Sequence, residues 1–384
     1  MTRYIRQGNG SISCHRQAWT VLLLLLVAFS GPLQTAAATA GKENMSLAAG
    51  MAVNKAQSLM AEEKPALALA VLIRYSEKQG EKVHHYIDFL SGICHTELGQ
   101  TGPAAAAFQR TVEKKPDLSA AWLNLARCRY ELGQMAEAAR AFETGYDTSE
   151  KKQPVHLFYA AACHFQGGTP GAALTVFERL MAAHPEAVTL EWKQTLVNIL
   201  FALEKFQKAL PWLEELAAET KGDTRRQWQE MLLYQYLSLE MKNKALAYAR
   251  YLTRTHPEDP GWWKALAHVH LTDNRFEKAL AAMLGYSYLT PLTREESRLV
   301  ADLYLSCNIP LSAALQYQSW LAEHGDTLSE KQVLERIKTI SRAWLSAGDP
   351  DQALAWAKKG LAKKDDPELV SIRDYVLATR SMPD

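Results

Sequence analysis

The chain predicts an all-α fold, a right-handed superhelical solenoid of about nine helix-turn-helix repeats. Three recurring features predict it. An alanine returns at one point of the pattern nine times, at Ala66, Ala104, Ala138, Ala173, Ala209, Ala245, Ala279, Ala313 and Ala353, at intervals of 34 to 40 residues. A period near 34 residues is the mark of stacked helix pairs. A helix-breaking residue comes five positions before most of these alanines, and a proline follows twelve positions after several.

The elements of each unit follow in order. A first helix ends at Gly99, Gly133, Gly168 or Gly348, or at Asn274 or Asn308. Glycine and asparagine tolerate the left-handed backbone that closes a helix C-terminus. The alanine then falls in a second helix, where its small side chain lets two helices approach. One turn later come Phe108, Phe142 and Phe177, then Leu213, Met283 and Tyr317, on the same face. Pro116, Pro185, Pro257 and Pro291 stop their second helices, because proline cannot continue a helix. Trp122 and Trp263 stand sixteen residues before their alanines, near the start of the first helix.

This constellation resembles the tetratricopeptide repeat family. The clearest unit is AAWLNLARCRYELGQMAEAARAFETG, residues 120–145, in which Trp122, Leu125, Ala126, Gly133, Ala138 and Phe142 match that family's pattern. The end units depart most. Ala66 lacks a clear preceding glycine and the last interval is stretched, as expected of repeats that cap an open apolar face. The resemblance implies an array that binds other proteins along the concave side lined by first helices.

Residues 1–40 differ from the rest. Arg3, Arg6 and Arg16 precede an apolar run from Trp19 to Phe29, and Ala36-Ala37-Ala38 and Ala38-Thr39-Ala40 follow. A basic start, a short apolar stretch and small-residue sites predict a cleaved secretory signal, with residues 41–384 as the solenoid. Residues Ala18 to Ala40 carry no charge, which leaves an uncleaved anchor as the alternative. Cys14 lies before the apolar run, where it cannot serve as a lipoprotein cysteine.

The chain has 384 residues, 48% hydrophobic and 22% charged, an ordinary globular composition. Without residues 1–40 it holds 40 basic and 42 acidic residues, a net charge of −2. That balance offers no electrostatic reason to bind nucleic acid, and no basic amphipathic stretch argues for a membrane surface.

Cys94, Cys128 and Cys163 each lie ten residues before their alanine and so occupy equivalent places. Packed helix axes are about 8–10 Å apart, too far for a disulfide between equivalent sites. The three cysteines therefore read as small core residues. Cys94-His95 and Cys163-His164 repeat a thiol–imidazole pair, but adjacent helical residues diverge and the two pairs lie in non-adjacent units. His268 and His270 also diverge, and His84-His85 reads as a solvated helix start. No metal site, cofactor site or catalytic motif is expected, and the chain is read as a non-enzyme.

Equivalent outward places on the first helices give a candidate partner-binding set. Early units contribute Tyr86, Phe89, Ile93, Leu123, Arg127, Tyr130, Phe158 and Phe165. Middle units contribute Gln194, Asn198, Phe201, Glu230 and Tyr234, and late units Lys264, His268, Arg298, Asp302, Lys338 and Arg342. The expected groove is aromatic early and charged late, suited to a partner with an apolar segment and acidic residues toward the C-terminal end. The competing expectations are that the aromatics pack neighbouring repeats or the helix preceding them, and that the late cations form a solvated face. The Lys and Asn pattern used by family members to clamp a C-terminal carboxylate is not present as such.

A narrower resemblance lies in residues 261–325. Trp263 leads through Phe276-Glu277-Lys278-Ala279-Leu280 to a tyrosine-rich helix end; Thr293 and Glu296 form a capping-box pattern, and Ile309-Pro310-Leu311 follows. This stretch is similar to exported repeat proteins that accompany TonB–ExbB–ExbD systems in Gram-negative bacteria. The resemblance implies a periplasmic scaffold with TonB, ExbB or ExbD components as partners. Its competitors are a scaffold for envelope biogenesis or polysaccharide export, and a self-associating structural array.

Overall fold

The computed structural model describes residues 45–80 and 83–381. The signal or anchor expected in residues 1–40 lies outside them. Nineteen α-helices occur among the described residues, with no strand. They run in pairs: α1 (Leu47–Ala61) with α2 (Pro65–Gln79), α3 (His85–Glu97) with α4 (Thr101–Lys114), α5 (Ser119–Glu131) with α6 (Met135–Thr148), and α7 (Pro154–Gln166) with α8 (Pro170–Ala183). The series continues with α9 (Leu190–Ala202) and α10 (Phe206–Glu219), α11 (Gly222–Ser238) and α12 (Lys242–Thr255), and α13 (Pro260–Thr272) and α14 (Phe276–Leu289). It ends with α15 (Arg294–Ser306) and α16 (Pro310–His324), α17 (Glu330–Ser346) and α18 (Pro350–Leu361), and a terminal α19 (Pro367–Ser381). No described helix is long and apolar enough to cross a membrane. The helices group into two compact units, one ending at Leu232 and the other beginning at Leu233.

One turn geometry recurs in every pair. In these turns the residues with positive φ are Glu63, Gly99, Gly133, Gly168, Glu204, Glu240, Asn274, Asn308 and Gly348, each five before a fully buried alanine. In each turn the next amide reaches back to the carbonyl five residues earlier, as in Lys64 to Leu59 and Gln134 to Arg129. This is the Schellman closure, which satisfies carbonyls that the helix end would otherwise leave unpaired. The closure corrects the register of the first unit. Ala66 is exposed, while Ala68 is buried and follows Glu63 by five residues. The missing glycine had hidden a left-handed glutamate.

Each alanine is 0% exposed because a first helix lies against it. The residues one turn later, Phe108, Phe142, Phe177, Leu213, Met283 and Tyr317, are all buried. Gly145 allows a close approach of two helices. A β-carbon there would meet Leu123 Cδ2 at 2.6 Å. Trp122 and Trp263 share one bond, each indole N–H donating to the carbonyl of a loop proline, Pro116 at 2.7 Å and Pro257 at 2.8 Å. The tryptophan sixteen residues before the alanine thus ties the first helix to the loop that enters it.

Candidate partner-binding surface

The candidate positions divide by burial. At fifteen residues before the alanine, Phe89, Leu123 and Phe158 are buried, Gln194 is half-buried, and Glu230 and Lys264 are exposed. The same backbone place is closed in the early repeats, open at Glu230 and Lys264, and half-buried again at Arg298 and Lys338.

Tyr86, Phe89, Ile93, Leu123 and Phe158 were expected on an open groove, and the structure places all five in the core. Their neighbours explain it. Gln57 of α1 donates to the Tyr86 hydroxyl at 3.2 Å. The Tyr86 and Phe89 rings stack 6.0 Å apart, and Phe89 meets Phe108 edge-on at 5.8 Å. Ile93 joins the same apolar cluster. Leu123 fills the space left by Gly145. Trp192 of α9 lies flat on Phe158, with centroids 4.7 Å apart and planes 8° from parallel. Trp192 was missed in the sequence because its role depends on the preceding repeat.

The rest of the set keeps partial exposure. In the first unit these are Arg127, Tyr130, Phe165, Gln194 and Asn198, and in the second Tyr234. Arg127 pairs with Glu131 one turn on at 3.1 Å. Phe201 is half-buried beside Phe206, and Glu230 is exposed and paired with Arg226 at 3.1 Å.

Of the late cations, Lys264 and Arg342 are exposed and Lys338 is half-buried, and all three form ion pairs within the chain. Lys264 meets Glu296 at 2.6 Å. Lys338 lies within 2.9 Å of Glu335 and 3.2 Å of Asp366, which together raise its pKa to about 12. Arg342 pairs with Glu368 at 3.1 Å, and Asp302 accepts from the Tyr317 hydroxyl. Asp366 and Glu368 enter with the start of α19, so the terminal helix neutralises two residues of α17. His268 is exposed. His84-His85 is not a solvated pair. The His84 ring accepts from the Tyr86 amide as a cap, and His85 Nε2 is buried with no hydrogen-bond partner.

The thiols are unsuited to chemistry. Cys94, Cys128 and Cys163 are buried and free, and burial pushes their pKa values up to about 12, 11 and 12. Only the thiolate is nucleophilic or metal-binding. Cys94 instead contacts the Met60 thioether at 3.3 Å. The neighbouring imidazoles turn elsewhere, His95 to Gln100 at 2.7 Å and His164 to Glu143 at 3.1 Å. Among the described residues no three His, Cys, Asp or Glu side chains converge as a metal site would require.

The chain is similar to a tetratricopeptide repeat protein from Parabacteroides merdae, 11% identical, with 77% of this chain and 99% of that one covered and a TM-score of 0.35. It is also similar to a chain of the Naa15/Naa10 assembly bound to HypK-THB, 16% identical, covering 87% of this chain and 61% of that one, with a TM-score of 0.46. The TPR2AB domain of yeast Sti1, in a complex with pHSP90, is 14% identical over 67% of this chain and 98% of that one, with a TM-score of 0.34. No curated protein matches the chain. The family model for the tetratricopeptide repeat matches residues 52–284, more than half of the length. Repeats of this kind form protein-interaction scaffolds that are typically non-catalytic, and the chain belongs to the tetratricopeptide repeat family.

Proposed function

We propose that this scaffold works in the periplasm of a Gram-negative bacterium as an accessory of a TonB-type energy-transducing outer-membrane transport system. The observation that carries the reading is the resemblance in residues 261–325. The motifs quoted there have defined work in the fold: Trp263 fixes the entry to α13, Thr293 and Glu296 form a reciprocal capping box at α15, and Pro310 opens α16. The basic start and apolar run of residues 3–29 support export.

The partner would contact the half-buried members of the set, above all Arg127 and Tyr130, since aromatic and arginine side chains contribute most to interface energies. The test is affinity capture of the full chain from intact envelopes, with mass spectrometry of what is retained. TonB, ExbB or ExbD homologues are the expected products, and recovering none of them would end this assignment. Combined R127A and Y130A substitutions should weaken capture and leave the melting midpoint unchanged. N-terminal sequencing of the periplasmic form should begin near residue 41; a full-length chain confined to the membrane fraction would instead indicate an anchor.

A further inference from the structure

The second unit contains a cavity of about 130 Å³ between α15, α16 and α17, and its polar lining is mostly arginine. Arg294 and Arg298 come from α15, Arg336 and Gln332 from α17, and Trp320 from α16. Glu295 is the sole acid on the lining and is exposed. The guanidinium groups of Arg294 and Arg336 lie 5.5 and 5.6 Å from the centre of the Trp320 ring. Neither has an ion pair among the described residues. This sets them apart from Lys264, Lys338 and Arg342, which meet carboxylates of the same chain. The nearby Asp302 already accepts from Tyr317.

Three guanidinium groups around one small cavity repel one another, and the Trp320 ring that Arg294 and Arg336 flank carries no full charge to offset that repulsion. An entering anion reverses that sign. The planar fork of arginine matches a carboxylate with two parallel N–H donors, and holding the guanidinium against an indole fixes its plane before a ligand arrives. Burial and the charge of Arg336 press the pKa of Arg298 downward, and Asp302 opposes them only in part.

We propose that this cavity is a carboxylate-binding site that receives an acidic side chain from a segment of the scaffold's protein partner. The proposal rests on the scaffold reading for its ligand source. The site differs from a lysine–asparagine clamp in using three arginines and an aromatic floor contributed by a second helix. A glutamate side chain suits the cavity size, with its carboxylate between Arg294 and Arg336 and its methylenes toward Trp320.

The test is calorimetric titration of the full chain with a synthetic Glu-rich peptide, the same peptide with Gln at every Glu, and inorganic phosphate. The Glu peptide should bind, the Gln peptide should not, and binding should weaken as salt rises. Arg294→Gln and Arg336→Gln should each reduce affinity at least tenfold with an unchanged melting midpoint. Arg342→Gln, whose charge is met by Glu368, should leave affinity unchanged. Equal binding of both peptides, or undiminished binding by R294Q and R336Q, overturns the site. Binding of phosphate as tight as the Glu peptide overturns the peptide assignment in favour of a small-anion site. If the R294Q/R336Q double variant captures the same envelope partners as the native chain, this proposal fails and the scaffold reading stands. If the native chain captures nothing while the Glu peptide still binds, the scaffold reading fails alone.

Discussion

Phe89 carries the clearest consequence of burial. It is 1% exposed and sits between Tyr86 and Phe108. Phe89→Ala should cost about 3–5 kcal/mol, the usual result of emptying a large core site. Urea unfolding would measure the loss, and a fall below about 1 kcal/mol would mean the site is open. His85 gives a pH signature. Burial and the neighbouring His84 lower its pKa to about 4 from an ordinary 6.5. The unfolded chain then takes up a proton where the native one does not, so stability is full above pH 6.5 and declines as pH falls toward 4. A His85→Phe variant should flatten that decline in a series of urea midpoints. Glu296 behaves oppositely in origin. Burial opposes its charge, but Lys264 and the Thr293 amide and hydroxyl outweigh it and hold the pKa below the ordinary 4.5. Its contribution persists above that value and disappears only in stronger acid.

At the scale of the element, the turn between paired helices matters most. Glu63, Glu204 and Glu240 adopt positive φ, a conformation that costs a residue with a β-carbon about 1–2 kcal/mol. Glu204→Gly should therefore raise stability by about 0.5–1 kcal/mol, after the greater freedom of glycine in the unfolded chain is counted. Thermal melting of E204G, with Gly133→Ala as the opposite case, checks both signs. Gly145→Ala should cost about 1–3 kcal/mol, because the new methyl lies 2.6 Å from Leu123. These turns also show what a sequence reveals. Gly99 and Asn274 announce a left-handed residue by their chemistry. Glu204 does not, because its conformation is imposed by α9 and α10 packing on either side. Glu63 is equally silent, so nothing in the sequence marks Ala68 rather than Ala66 as the packing alanine of the first repeat.

At the scale of the whole molecule, each repeat buries a face that its neighbour supplies, so the energy is close to a sum of nearest-neighbour terms. That explains which parts of the candidate surface were legible. The period, the helix pairs and the equivalence of Cys94, Cys128 and Cys163 follow from residues within one repeat. The fate of Tyr86 and Phe158 does not, because α1 covers one and Trp192 of α9 covers the other. Lys338 and Arg342 likewise depend on Asp366 and Glu368, one repeat further on. The terminal α19 buries Leu369, Ile372 and Val376 as well as supplying those acids. Deleting residues 367–384 should uncover Leu334 and Ile337 and lower the urea midpoint, with dye binding reporting the newly exposed apolar face. An unchanged midpoint would show that α17 and α18 close the array by themselves.

The three equivalent cysteines have a kinetic consequence. Their thiols are hidden inside consecutive helix pairs and held protonated, so a reagent in solution reaches them only when a repeat opens. Each thiol is in effect a clock on its own repeat. Comparing labelling rates at Cys94, Cys128 and Cys163 would time the opening of three successive layers within one molecule, while Cys307, half-exposed among the described residues, would set the rate of a site that need not wait.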